Sequence, residues 1–269
     1  MSAMTARSYL FVPGNSPERF PKACASGADA VIIDLEDAVA AADKHAARAA
    51  VAAWVSPAHP VFIRINGPDS EWFADDLALC PLPGVAGIVL PKAERIDDLS
   101  RVMQAGAARL LPLIETAHGF AQAMEVAKAD GVQRLLFGSI DFQLDLGIDG
   151  GNEELLYFRS HLVLVSRLAE IAAPVDGVTT AIDDPQRVVE ESKRARRLGF
   201  GAKLCIHPKQ VPQVHAAFAP SEADLAWAKR VVEAGAAAHG AAIAVDGRMV
   251  DRPVILRAQA MIDEAARRG

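Results

Sequence analysis

The chain has 269 residues, 28 of them Lys or Arg and 34 Asp or Glu, so it carries a formal net charge of −6 and a pI near 5.7. That balance excludes nucleic-acid binding through bulk charge, and 51% hydrophobic against 23% charged residues excludes a disordered chain. No apolar run reaches the roughly 18 residues of a membrane helix, the N-terminal MSAMTARSYLFVPGN lacks a signal-peptide core, and Cys24, Cys80 and Cys205 form no C-x-x-C pair, so a cytoplasmic protein that meets no membrane is expected.

Short apolar, β-branched runs recur along the chain, each followed by a stretch of helical period. In order they are Ser8–Pro13, Ala30–Leu35, Val61–Ile65, Val85–Leu90, Arg109–Ile114, Arg134–Gly138, Val175–Thr179 and Ala202–Ile206. Eight such units in about 210 residues match an α/β fold of the (β/α)8 TIM-barrel type, usually roughly 250 residues long. A doubly wound sheet shows the same alternation but does not close. Ser16-Pro17 and Asp183-Asp184-Pro185 supply helix starts, and Gly27, Gly106 and Gly199 fall near helix ends. Beyond the eighth unit, Ser221–His239 reads as a helix opened by Ser221-x-x-Asp224. AIAVDGRMVDRPV then reads as a turn-containing segment before a last helix through Arg268. The predicted division is a catalytic barrel over residues 1–220 and a C-terminal helical extension over 221–269.

Residues that close barrel strands build active sites, so the end of each run is informative. The second closes with Asp34, Glu36 and Asp37, the third with Arg64 and Asn66, the fourth with Lys92 and the fifth with Glu115 and Thr116. The sixth closes with Asp141, the seventh with Thr179 and Thr180, and the eighth with His207. Alternation puts Asp34 and Glu36 on one face, and Arg64 and Asn66 on one face. Converging carboxylates repel unless a cation neutralises them, and Mg2+ is commonly held by two carboxylates plus waters and substrate oxygens. Glu115 and Asp141, each at a strand tip, are the candidate pair; helix capping or a rim salt bridge explains the pattern equally well. Arg64, flanked by apolar residues, must meet an anion: either Glu36 or Asp37, or a substrate carboxylate or enolate. Lys92 reads as a solvated rim lysine or a Schiff-base lysine, His207 as a loop-holding group, and Cys205 as a core residue. No G-x-S-x-G elbow, P-loop or dinucleotide fingerprint is present.

Eight strings, RSYLFVPGNSPERFPKA, VIIDLEDAV, VFIRIN, IVLPKAE, LLPLIETAHG, FGSIDF, KLCIHPKQ and GRMVDRPV, resemble in order the citrate lyase beta-subunit-like family of acyl-CoA lyases, across nearly the whole chain. The resemblance implies a TIM barrel assembled as a homotrimer. It further implies binding of Mg2+, or Mn2+ in its place, and of a 2-oxo acid, with cleavage or formation of a carbon–carbon bond beside a coenzyme A thioester. By motif, Glu115 and Asp141 are then metal ligands, and Arg64 clamps the substrate and thioester oxygen. Glu36 and Asp37 hold metal-bound waters and Arg64, while Arg19 and Lys22 lie near the coenzyme A phosphates. Asp251 becomes the acid/base on a C-terminal lid over a neighbouring subunit. The substrate implied is a malyl-, citramalyl- or citryl-thioester, with synthase or thioesterase activity as variants. A metal-dependent 2-oxo-acid aldolase without coenzyme A, or a subunit acting on a carrier-protein thioester, are the alternatives. The chain departs from many relatives in placing Ser139 and Ile140, not an acidic residue, before Asp141.

Overall fold

The computed structural model describes residues 6–237 and 242–266. All eight apolar runs become parallel strands: β1 (Ser8–Pro13), β2 (Ala30–Asp34), β3 (Val61–Arg64), β4 (Val85–Leu90), β5 (Leu110–Ile114), β6 (Leu136–Phe137), β7 (Val175–Asp176) and β8 (Ala202–Cys205). They pair in sequence order, and β8 returns to β1 through Ser8 opposite Lys203, which closes the barrel and removes the open-sheet alternative. The alternation is completed by α1 (Phe20–Cys24), α2 (Lys44–Trp54), α3 (Phe73–Asp76), α4 (Ile96–Gln104), α5 (Ala117–Ala121), α6 (Ala123–Lys128), α7 (Ser139–Leu146), α8 (Leu156–Leu168), α9 (Pro185–Leu198) and α10 (Val211–Phe218).

Side-chain alternation sorts each strand into two cores. Tyr9, Ile32, Phe62, Val89, Leu111, Leu113, Leu136, Val175 and Leu204 fill the barrel interior. The intervening residues, among them Leu10, Ile33, Ile63, Ile88, Ile114, Phe137 and Cys205, pack outward against the helices. The lower end of the interior is closed by Arg134, fully buried, which donates to the carbonyls of Ala6 and Ala173 and lies over the Tyr9 ring.

Local signals behave as their chemistry requires in most places. Asp184 accepts the Arg187 N–H at 3.0 Å with Pro185 in the first turn, and Gly199, at φ 104°, takes the left-handed position that ends α9. Ser16 precedes a 3-10 turn, Pro17–Arg19, without capping it through its side chain. β6 and β7 are shorter than the runs Arg134–Gly138 and Val175–Thr179, so Asp141 sits in the first turn of α7 and not at a strand tip.

The chain divides into two compact units, one ending at Phe218 and the other beginning at Ala219. The second contains α11 (Glu222–Ala237), a hairpin of β9 (Ile243–Val245) and β10 (Arg248–Val250), and α12 (Arg252–Ala266). Ser221 and Asp224 exchange side chain–backbone bonds of 3.1 Å each, a reciprocal cap for α11. Asp246 and Gly247, both at positive φ (51° and 74°), make the hairpin turn. At Gly235 an added Cβ would lie 2.6 Å from Ile255, so the glycine admits α12 against α11. The expected helix ends at His239 and Arg268 lie outside the described residues. No described helix is long and apolar enough to cross a membrane.

Candidate active site at the barrel rim

The inward parity of each strand continues one step past the apolar interior, and there the residue type changes. Asp34 follows Ile32, Arg64 follows Phe62 and Glu115 follows Leu113, each two positions on, while on β8 the apolar type continues from Leu204 to Ile206. These side chains, with Phe11, Asp37, Gly138, Asp141 and Val178, line a cavity of about 390 Å3 at the C-terminal ends of the strands, the end where such barrels carry their chemistry.

Arg64 organises the acidic side. Its Nε and Nη2 donate to the two Asp34 oxygens at 2.7 and 2.6 Å, and Nη1 reaches Glu36 at 3.0 Å and Asp37 at 3.4 Å. Asp34 also accepts the Glu36 and Ala38 N–H groups, at 2.9 and 3.1 Å, so the fork is locked from both sides. The sequence pattern named Glu36 or Asp37 as the partner of Arg64; Asp34 is the principal one. The missed signal was register, because Asp34 and Arg64 are direct partners across β2 and β3. Burial by itself would lower the Arg64 pKa, but the surrounding carboxylates outweigh it and hold the group charged. Burial also raises Glu36, which Arg64 only partly offsets.

Glu115 is 2% exposed. One of its oxygens accepts the Lys92 N–H at 2.8 Å. Beside the other stands Gly138, where a Cβ would come within 2.6 Å of that oxygen, so the close approach requires glycine. Burial, and then the negative charges of Glu36 and Asp141, push its carboxyl up to about 8 despite Arg64. A second carboxylate on the same cavity with the first held at such cost is an arrangement that a hard divalent cation relieves. Among the described residues no group of three or more His, Cys, Asp or Glu gathers for a metal. Glu115 and Asp141, two carboxylates on one cavity that raise one another's cost, fit an ion of the Mg2+ type, which accepts one or two protein carboxylates and takes its other oxygens from water and substrate.

Lys92 joins the two halves of the site. Its φ of 47° is in the left-handed region, where a non-glycine residue is strained. That turn aims its N–H at Glu115 while its ammonium donates to Glu36 at 2.7 Å. Burial would lower the ammonium pKa, but the bond to Glu36 and the nearby carboxylates raise it above its ordinary value, which disfavours the neutral amine a Schiff base needs. Lys92→Met keeps the N–H on Glu115 but removes the ammonium from Glu36, the neighbour of Arg64, and is expected to lower kcat/KM roughly 10-fold, the scale of losing a group that positions a site residue. Lys92→Arg should restore part of it, and steady-state kinetics of the two variants checks this.

The remaining candidates are placed as follows. His207 accepts the Lys209 N–H at 3.2 Å and starts a 3-10 turn, and Cys205 is buried among core residues. Arg19 and Lys22 are exposed on the segment after β1. Asp251 belongs to the second unit, where it accepts the Val254 N–H at 3.3 Å and caps α12. Sequence reasoning missed Lys44, which donates to the Leu35 and Glu36 carbonyls and to Asn66 at 2.6–2.7 Å, and Asp76, which accepts from Asn66 at 2.6 Å. Lys44 is a helical residue with no distinguishing local pattern.

Comparison with known proteins places this geometry among relatives. A family model described as HpcH/HpaI aldolase/citrate lyase matches residues 7–208. A citrate lyase subunit beta-like protein of Deinococcus radiodurans is 40% identical, covering 97% of each chain. A (3S)-malyl-CoA thioesterase of Cereibacter sphaeroides is 34% identical over 96% of this chain and 94% of its own. The crystal structure of CitE from Mycobacterium tuberculosis in complex with magnesium, acetoacetate and coenzyme A superposes with a TM-score of 0.88 at 35% identity, covering 98% of this chain and 99% of that one.

Proposed function

The chain belongs to the HpcH/HpaI aldolase/citrate lyase family, and from that premise we propose that it is a Mg2+-dependent carbon–carbon lyase for the coenzyme A thioester of a 3-hydroxy diacid. The observation that carries the reading is the pairing of Glu115 with Asp141 on one cavity, with the Arg64 guanidinium on the same wall. Glu115 and Asp141 would hold the ion, which when bound supplies Lewis-acid polarisation of a 2-oxo carbonyl.

The chain's own groups account for the rest. In the cleavage direction Asp251, from the C-terminal lid of a neighbouring copy, accepts the hydroxyl proton. The carbon–carbon bond then breaks, its electron pair passes to the acyl thioester as an enolate, and protonation of that carbon completes the acetyl thioester. Arg64 stabilises the enolate oxygen through Nη1, which exchanges its contacts with Glu36 and Asp37 for the enolate while Nε and Nη2 stay on Asp34. Asp34, Glu36 and Asp37 fix the Arg64 plane, and Arg19 and Lys22 offer charge to the coenzyme A phosphates. Condensation runs the same roles in reverse. We also propose the homotrimer that such a shared lid requires; Leu144, Tyr157, Leu164 and Leu168, 53–82% exposed on α7 and α8, supply apolar surface for a contact between copies.

The purified protein should be given malyl-, citramalyl- and citryl-thioesters, with Mg2+ and with chelator, while free thiol and 2-oxo acid are followed. The expected result is Mg2+-dependent oxo-acid release without free thiol. Thiol release would make it a thioesterase, and silence on every thioester with turnover of free hydroxy-oxo acids would make it an aldolase.

A further inference from the structure

Beside the acidic rim cavity lies a second chamber of opposite sign. It measures about 240 Å3 and lies among α7, the segment before α8, the end of β7 and α9. Its charged lining is Arg159, Arg187 and Arg194 against Glu191 alone, a formal excess of two positive charges. An outer cavity of about 530 Å3 shares Arg187, Arg194 and Glu191 but adds Asp184, Glu190 and Arg197, and there the charges cancel. The excess is confined to the inner chamber.

Two of its guanidinium groups have bonds left to make. Arg159, 5% exposed, donates from Nε to Asp176 and from Nη1 to the Gly151 carbonyl, both at 2.7 Å, which leaves Nη2 for a ligand. Arg194 donates from its Nη atoms to the Asn152 side chain and the Gly151 carbonyl, while its Nε is buried and has no acceptor among the described residues. A buried charged donor without an acceptor is a cost that an anion removes. Burial, and then the charge of Arg159, lower the Arg194 pKa against the partial offset of Asp176 and Glu191, so the cations are crowded as well as underused. Arg187, on Glu191 at 3.0 Å, adds charge, and Thr180 adds a hydroxyl.

From the free donors of Arg159 and Arg194 and the excess charge around them, we infer that this chamber binds a phosphate dianion at a site separate from the metal cavity. A phosphate group approaches a charge of −2 near neutral pH, which matches the excess, and its oxygens suit planar guanidinium donors. A monocarboxylate would leave one positive charge unmet. Ser139 and Ile140 line both cavities and Asp141 is the next residue of α7, so the two sites share a wall but no charged group. The residue at position 140 matters here: an acidic side chain on that wall would cancel part of the chamber's charge, and Ile140 does not.

Isothermal titration of the full-length protein with inorganic phosphate, in chelator and without Mg2+, tests this. One phosphate per chain should bind with a Kd below about 1 mM. Arg194→Gln, and Ile140→Glu from the opposite wall, should each weaken binding at least about tenfold, the scale of one charge-assisted bond. Arg230→Gln, which removes a half-exposed guanidinium from the second unit, should bind as the wild type does. Saturating coenzyme A should leave the phosphate affinity unchanged; one-for-one displacement would make the chamber part of the thioester site and overturn the inference. No wild-type binding up to roughly 10 mM, or equal affinity in the wild type and both chamber variants, would overturn it too. The wild-type titration and the coenzyme A competition decide the matter even if a variant does not fold, and neither involves turnover, so the result is independent of the lyase reading.

Discussion

Glu115→Gln and Asp141→Asn are each expected to reduce thioester cleavage by roughly 1,000-fold, about 4 kcal/mol of transition-state stabilisation. Both changes keep the side-chain shape, and the amide oxygen of the Glu115→Gln variant can still accept the Lys92 N–H, so neither removes packing. Glu115→Gln also removes a buried carboxylate that Glu36 and Asp141 repel. Without metal, its thermal midpoint should equal or exceed that of the wild type while its activity collapses. Kinetics and thermal melts on the same sample distinguish this from simple unfolding. An unchanged rate in both variants would remove these residues from the chemistry. The proposed lid adds a second reading of the same material: co-folded Glu115→Gln and Asp251→Asn chains should recover part of the activity that each lacks alone. Mixed assemblies would then contain sites with an intact rim from one copy and an intact lid from another.

The largest expected effect on stability lies away from the cavity, in the layer between strands and helices. Asp176 on β7 and Lys203 on β8 occupy outward-facing positions where other strands place Ile or Val. Arg159 of α8 donates to Asp176 at 2.7 Å, and the Lys203 ammonium lies 3.5 Å from it; all three side chains are buried. Lys203 also donates to the Gly177 carbonyl at 2.7 Å. Replacing Asp176 by Asn leaves two buried cations short of an anion, a change that typically costs about 3–5 kcal/mol. For a barrel of this size the melting temperature should fall by roughly 10 °C.

The acid dependence has a defined sign. Burial alone would raise the Asp176 pKa, but Lys203 and Arg159 outweigh it and hold the carboxyl below its ordinary 3.8. The folded protein therefore binds this proton less readily than the unfolded chain. The stabilisation is fully present above the ordinary carboxylate range and is lost as the pH falls through the lower folded value. Urea melts from pH 7 downward should show the wild type losing more stability on acidification than Asp176→Asn. Parallel curves would assign the acid sensitivity to other carboxylates.

Much of the candidate site was legible because barrel strands impose a period of two. Once the runs ending IIDLED, FIRIN and LIET are strands, Asp34, Arg64 and Glu115 fall on the inward parity at the rim. Asp141 was legible as a site residue but not as a helical one, because β6 is only two residues long and the turn into α7 comes early. The pairing of Arg64 with Asp34 before Glu36 depended on register between neighbouring strands, which pattern alone does not specify. Asp176 and Lys203 are likewise register partners, separated in sequence by a whole helix.

The amino-acid sequence by itself determined the eight βα units, the polar residues that close them and the family to which the chain belongs. Each follows from local periodicity or from strings that survive without reference to distant residues. Closure of the sheet, the locking of Arg64, the strained turn that aims the Lys92 amide at Glu115 and the net negative charge of the cavity were decided only by the tertiary structure. All four are sums over groups far apart in the chain. Their energies depend on separations of a few ångströms and on how completely water is excluded, and those are properties of the folded barrel.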